Sequence, residues 1–353
     1  MPARKSDILR LLGQLEGPLA QEFRNAVATM TSRARIEELA FALNSGDLDS
    51  ALKAAGIRAG SWNNVTEEVR RAYYEAGVFT MVADVPKRFG AEFDLSNPRA
   101  EAWLQQQSSQ MVTRINSDQR EAVRLLMQQG VSAGRNPRSI ALDIVGRIGA
   151  TGRRTGGVLG LNKQQAEYVQ QMRGALSGAD VGIFHTDDGR QVAKFWIGDD
   201  GKLKSVYSRR DRRFDPTIRK AIEAGKPLDT ATVNRLTGRY SDRLLQLRGE
   251  TIGRTEALAA LNEAADESLR QIIDEGLAPP DAVKRIWKHS YSPNERPGHL
   301  QMSGQERGVN ESFLNPLTGV TMMHPGDGPA SEIINCRCMV SHKIDFVKVE
   351  FAA

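Results

Sequence analysis

The sequence predicts a mainly α-helical protein with one β-hairpin insertion and a small α+β domain at the C-terminal end. Three observations carry this expectation. Apolar residues recur at helical spacings of three and four over most of the chain before Pro279. Strict alternation appears only between about Val181 and Tyr207, around the turn-forming run Gly198-Asp199-Asp200-Gly201. After Pro279-Pro280 the composition shifts to Gly, Pro, His, Asn and Ser, with short apolar runs between them. The segments this implies are an N-terminal helical region at 1–92, an elongated helical region with a basic loop and the hairpin (181–208) at 93–280, and the α+β domain at 281–353.

The elements follow in order. Ser6-Asp7 can cap a first helix running to Leu15. Leu19, Phe23, Val27 and Met30 then form one apolar stripe. Ile36 to Leu43 and Asp47 to Ala55 read as a helix pair broken at Asn44-Ser45-Gly46. Thr66 opens a helix carrying Val69, Tyr73, Val78 and Val82 towards a stop near Pro86. Asn97-Pro98 opens a long helix with Ala102, Trp103, Met111, Ile115, Val123 and Leu126 along it, ending at Gly130. Ser139 is the expected cap of a short helix to Ile148. Residues 146–157, rich in Gly and Arg, read as a mobile loop, because glycine disfavours a helix interior. Lys163 to Leu176 is helical again. Beyond the hairpin and the cluster Arg209-Arg210-Asp211-Arg212-Arg213, helical pattern resumes at Thr217 and becomes long from Tyr240 to Glu275. Ile286 to His289 and Met339 to Val349 are the candidate C-terminal strands.

Composition excludes several classes. The chain has 353 residues, 40% hydrophobic and 26% charged, in the range of a soluble globular protein. No apolar run is long enough for a membrane helix, and Asp7, Arg10 and Gln14 interrupt any secretory leader, so the protein is expected to stay in the compartment where it is made. Two cysteines, Cys336 and Cys338, cannot make a disulfide framework. The net charge of +5 is concentrated in the middle: Ile140 to Arg248 holds 20 Lys/Arg against 12 Asp/Glu, whereas Asp281 onward holds 8 of each. Such a surplus suits a phosphate backbone or an acidic protein surface, or is simply a solvated face. Arg153, Arg154, Arg209, Arg210, Arg212 and Arg213 are the expected anion or partner contacts. The last four crowd together beyond what Asp211 and Asp215 alone should pair. With few aromatics among them, any DNA contact should be to backbone, without sequence preference.

The C-terminal part reads Arg254-Thr255-Glu256, Trp287, Arg296-Pro297-Gly298-His299, His324-Pro325-Gly326-Asp327 and Asn335-Cys336-Arg337-Cys338. This order resembles the phage Mu F-like minor head protein (phage head morphogenesis) family. The stretch Ser292-Pro293-Asn294-Glu295-Arg296 departs from the family's Asp-x-Arg-x-Arg arrangement. The resemblance implies a minor capsid protein of the virion. Such a protein associates with the portal and other capsid components in the host cytoplasm during head assembly. It can be packaged with, or ejected with, double-stranded DNA. The motif residues Arg254, Thr255, Glu256, Trp287, Arg296, His299, Asp327, Asn335, Cys336, Arg337 and Cys338 are then structural, and no catalytic residue, cofactor or membrane partner is expected.

Two chemistries compete with that expectation. His299, His324, Cys336 and Cys338 make a possible Cys2His2 zinc set, although one residue between cysteines is a tight spacing for one ion. A cysteine beside His299 or His324, oriented by Asn335 or Asp327, could serve a hydrolase or transferase. The expectation retained is a small core in which the cysteines are buried and bind no metal. Arg254 or Glu256 should tie the long helix to the C-terminal domain, through Arg296 or Asp327.

Overall fold

A computed structural model describes residues 4–177, 183–185, 191–193, 195–205, 209–290, 295–345 and 348–349. The helical part begins with α1 (Lys5–Ser32), α2 (Ile36–Ser45), α3 (Leu48–Ala54), α4 (Asn63–Asp84), α5 (Pro98–Ser132) and α6 (Pro137–Val145). A short hairpin of β1 (Arg147–Ile148) and β2 (Arg154–Thr155) precedes α7 (Lys163–Leu176). Two further antiparallel pairs follow: β3 (Ile183–His185) with β4 (Gln191–Ala193), and β5 (Phe195–Ile197) with β6 (Leu203–Ser205). Then come α8 (Asp215–Glu223) and the 45-residue α9 (Thr230–Asp274). The C-terminal elements are β7 (Val283–Lys288), α10 (Pro297–Met302), β8 (Glu306–Arg307), β9 (Phe313–Leu314), β10 (Thr321–Met322), α11 (Ala330–Ile333) and β11 (Met339–Ile344). The protein is mainly α with small antiparallel sheets and a C-terminal α+β region, as its sequence implies. Among the described residues no helix is long and apolar enough to cross a membrane.

Two compact units form from separated segments: Met1–Phe23, Trp62–Val112 and Gly249–Ala353 make one, Arg24–Ser61 and Thr113–Arg248 the other. They therefore do not follow the three segments read along the sequence. The first unit explains why: the C-terminal strands use α9 as part of their core. Its three-stranded sheet has the order β11-β7-β8, all antiparallel, with Val340 opposite Trp287. The Val340 N–H donates to Asn262 Oδ1 on α9 at 3.0 Å. A Cβ on Gly326 would fall 2.7 Å from the Ala259 Cα, so the Pro-Gly-Asp turn lies against the helix backbone.

Several local expectations change. The first helix does not stop at Leu15. Leu12, Leu15, Leu19 and Phe23 continue one buried stripe through Pro18, so burial outweighs the hydrogen bond that proline removes. On α4 the buried face runs through Val65, Val69, Ala72, Tyr73, Ala76 and Met81, while Val82 is 68% exposed. α6 starts at Pro137, earlier than Ser139: Asn136 is its cap and accepts from the Arg138 N–H at 2.9 Å. The long predicted hairpin is two short pairs; the Gly198–Gly201 turn joins only β5 and β6.

The Gly/Arg segment, read as a loop, contains a short hairpin of β1 and β2. A Cβ on Gly157 would meet the Gly146 nitrogen at 2.4 Å, and one on Gly156 would meet the Gly238 Cα at 2.5 Å. The glycines serve close backbone approach, and Asp242 Oδ1 accepts from the Gly156 N–H at 2.7 Å.

Candidate functional site

The C-terminal motif closes around α10, α11 and the start of β11. Arg296 precedes α10 and donates to the carbonyls of Ser331 and Ile334, at 2.7 and 2.8 Å. Pro297 occupies the first turn of α10, where its missing N–H costs nothing. Gly298 is required, since a Cβ there would lie 2.3 Å from Asn315 Oδ1. His299 then points inward and is 2% exposed.

On the facing segment Asn335 has φ 57°, the one positive value of a non-glycine among the described residues. Asparagine tolerates this region. The turn sends Cys336 and Cys338 into the interior, each 3% exposed, and leaves Arg337 exposed. Arg254 Nη1 donates to Asn335 Oδ1 at 2.8 Å and pairs with Glu16 at 3.5 Å. Arg254 thus ties α9 to the motif, but through Asn335; Arg296 and Asp327 play no part. Glu256 instead accepts from Gln107 at 2.6 Å, and Thr255 donates to the Thr251 carbonyl within its own helix. Asp327 closes its own turn by accepting from the Met323 N–H at 2.8 Å. Trp287, fully buried on β7, meets the His299 ring edge-on at 5.5 Å.

Three ligand-bearing side chains meet inside this unit. His299 Nδ1 lies 3.5 Å from Cys336 Sγ and 3.6 Å from Cys338 Sγ. The three candidate ligand atoms all sit within 4.8 Å of one another. On the other side of the ring, Nε2 is 2.7 Å from Glu332 Oε2. Glu332 is itself buried and accepts from Asn315 Nδ2 at 3.2 Å and Thr318 Oγ1 at 3.0 Å. Burial disfavours its charged form, but the hydrogen bonds from His299 and Thr318 outweigh this and hold its carboxyl below the usual range. Both cysteines are free thiols. The S–H of Cys338 and the His299 ring pull the Cys336 proton off early, whereas the neighbouring sulfur and burial push Cys338 up. The cluster can therefore hold a soft cation or carry one thiolate.

His324 is not part of it. Its Nε2 contacts Glu263 Oε2 at 2.8 Å and its Nδ1 faces the Pro325 carbonyl at 3.1 Å. It belongs to a second buried cluster that the sequence did not signal as a pattern. There Arg285, fully buried, pairs with Asp266 and donates to the carbonyls of Gly308 and Met323. His342 is flanked by Asp84 at 3.1 Å and Asp266 at 3.4 Å. Glu332 was equally unforeseen. The available hint was polar Asn262 and Asp266 on the helical stripe of Leu258, Leu261, Ala265 and Leu269, since polar groups on a buried face need partners.

The basic residues lie in the other unit. Four of them border a cavity of about 510 Å³ that also touches Tyr168 and Tyr240. They are mostly engaged, contrary to the unpaired cluster expected. Arg210 makes a two-point contact with Asp215 at 3.1 Å, Arg213 pairs with Asp211, and the Arg209 guanidinium lies 5.0 Å over the Tyr168 ring. Acidic residues two and five positions away suffice because the turn into α8 folds the segment back on itself. Arg154 donates to the Gly146 carbonyl at 3.1 Å. Arg153 and Arg212 are exposed, and their side chains have no partner among the described residues.

No family model matches the chain, and no solved structure does. A stretch of 102 residues is 35% identical to YqbB of Bacillus subtilis (strain 168), itself an uncharacterised protein. The match covers 28% of this chain and 31% of YqbB, so the chain spans about a third of the length of the curated relative it resembles.

Proposed function

We propose that this chain is a minor head protein of tailed-phage virions, an assembly component that binds the portal and is packaged with the DNA. The observation that supports the reading is the convergence of Arg254, Arg296, His299, Asn335, Cys336 and Cys338, up to about 80 positions apart, on one unit in which His299 and both cysteines are buried. Its arginines hold backbone carbonyls and Asn335, which is the work of a structural latch. A nucleophile–base–orienter line, Cys336–His299–Glu332, also exists. Exposure of 3% or less at Cys336 and His299 speaks against turnover, because a substrate must reach the sulfur.

The partner surface belongs to the basic unit. Arg153 and Arg212 are the side chains of this set left available for an anion, and Arg212 lines the same cavity as the Arg209 cation over Tyr168. Acidic portal surface is the favoured partner, because the surplus of eight charges is modest for a dedicated DNA binder. The test is a pull-down with the cognate portal at moderate salt. Arg153→Glu with Arg212→Glu should abolish portal capture and leave DNA retention unchanged. Retained portal capture with lost DNA binding would assign the surface to DNA. In that case the milder pair Arg153→Ala with Arg212→Ala should lower the log–log salt slope of DNA binding by about 2. Failure of the wild type to bind portal at all would reject the assembly reading.

A further inference from the structure

We propose that His299, Cys336 and Cys338 bind one zinc ion, with Glu332 as the positioning residue behind His299. This does not depend on the virion reading.

The distances carry the proposal. Zinc bonds of about 2.3 Å to sulfur and about 2.05 Å to nitrogen, at a tetrahedral angle, set sulfur and nitrogen about 3.6 Å apart. The two observed separations are 3.5 and 3.6 Å. An unligated imidazole nitrogen has one lone pair or one proton and can serve only one thiol. Hydrogen bonds from Cys338 to Cys336 and between the sulfurs and Nδ1 join the three groups without an ion, and the same two separations are also the edges of one coordination polyhedron.

The surroundings agree. Glu332 Oε2, 2.7 Å from Nε2, orients the ring with Nδ1 towards the sulfurs, where Nδ1 would offer its lone pair once an ion displaces any proton there. Glu332 is fixed in turn by Asn315 and Thr318. The Cys338 backbone N–H is directed at Cys336 Sγ at 3.4 Å, a contact that stabilises a thiolate. The Trp287 indole N–H is buried in the same unit without a hydrogen-bond partner among the described residues. On binding, two S–Zn bonds and one N–Zn bond form and both thiol protons leave to solvent. The set has three ligand side chains among the described residues, so a fourth ligand comes from solvent or elsewhere. The ion would join α10 to the segment that leads into β11.

The full-length, untagged chain is purified under reducing conditions and its metal measured by mass spectrometry. About one zinc per chain is expected. Titration of the metal-free protein with cobalt should give a thiolate-to-metal charge-transfer band and intense visible bands of a four-coordinate ion. Cys338→Ser and His299→Ala should lose both signals while keeping the helical circular dichroism. Glu332→Gln should weaken binding by about 10- to 100-fold without abolishing it. If Cys338→Ser fails to fold, the cobalt spectrum of the wild type decides alone. Wild-type protein with no zinc and no charge-transfer band overturns the proposal, as does a Cys336–Cys338 disulfide in protein purified without reductant and free of metal.

Discussion

The first unit contains two buried polar clusters made of similar residues and completed in opposite ways. Around Asp266 every ring nitrogen of the two histidines faces an oxygen: Asp84 and Asp266 flank His342, and Glu263 and the Pro325 carbonyl flank His324. Around His299 only one nitrogen faces an oxygen, that of Glu332; the other faces two sulfurs. A carboxylate beside a histidine therefore means different things in the two places. With oxygens on both sides the imidazole is held as a cation and has no lone pair to offer. With a carboxylate on one side and thiols on the other, the ring is turned with Nδ1 towards the two sulfurs, the orientation the proposed ion requires.

The largest effect should come from opening the closed cluster. Arg285 is fully buried against Asp266, and Arg285→Met leaves that carboxylate without its main counter-charge. A loss of about 3–5 kcal/mol in urea unfolding is expected. Arg285→Met with Asp266→Leu should recover much of it. No recovery in the double variant would mean that the hydrogen bonds of Arg285 to the Gly308 and Met323 carbonyls matter more than the pair.

The next effect is a pH dependence confined to the same cluster. Burial alone would lower His324 and His342, yet the carboxylates of Glu263, Asp84 and Asp266 overrule it and push both up to about 9. Each folded-state value lies above the unfolded value of about 6.5. Their contribution is thus complete below about pH 6.5 and is lost as pH rises through about 9. Thermal melts should show the midpoint falling across that window, and His342→Gln should flatten the slope. An unchanged slope in that variant would show that His342 is not the cation the geometry implies.

A smaller loss is expected where the motif is tightest. Gly298→Ala drives a methyl into Asn315, which also holds Glu332, and should cost about 1–3 kcal/mol. The effect should be larger in metal-loaded protein than in chelated protein if Asn315 and Glu332 orient His299 for an ion. The smallest effect belongs to the basic unit. Arg212→Ala should change stability by no more than about 0.5 kcal/mol, whereas Arg210→Ala should cost more, because Arg210 is largely buried against Asp215 and the Leu203 carbonyl. Equal effects of the two would undo the distinction between engaged and available arginines.

The helices were legible in the sequence because their signal is local. Leu19 and Phe23 mark a buried face whichever element lies opposite, and the helical run Lys163 to Leu176 is α7 with the same bounds. The order of motifs from Arg254 to Cys338 likewise pointed to one compact unit. The β1–β2 pairing in the Gly/Arg segment was not legible, because glycine suits both open loops and close backbone approach, and the neighbours at Gly238 and Ile144 come from elsewhere in the chain.

Composition and periodicity by themselves determined a mainly helical chain, a turn at Gly198–Gly201, two late strands and a basic middle. Tertiary structure alone decided which histidine stands beside the cysteines. His299 and His324 are equally plausible in the sequence, but Glu332, 33 positions away, fixes the first, and Glu263, 61 positions away, claims the second. The physical reason is that residue spacing encodes which face of an element is buried. It does not encode which side chain will be waiting there, since that follows from packing elements far apart in the chain.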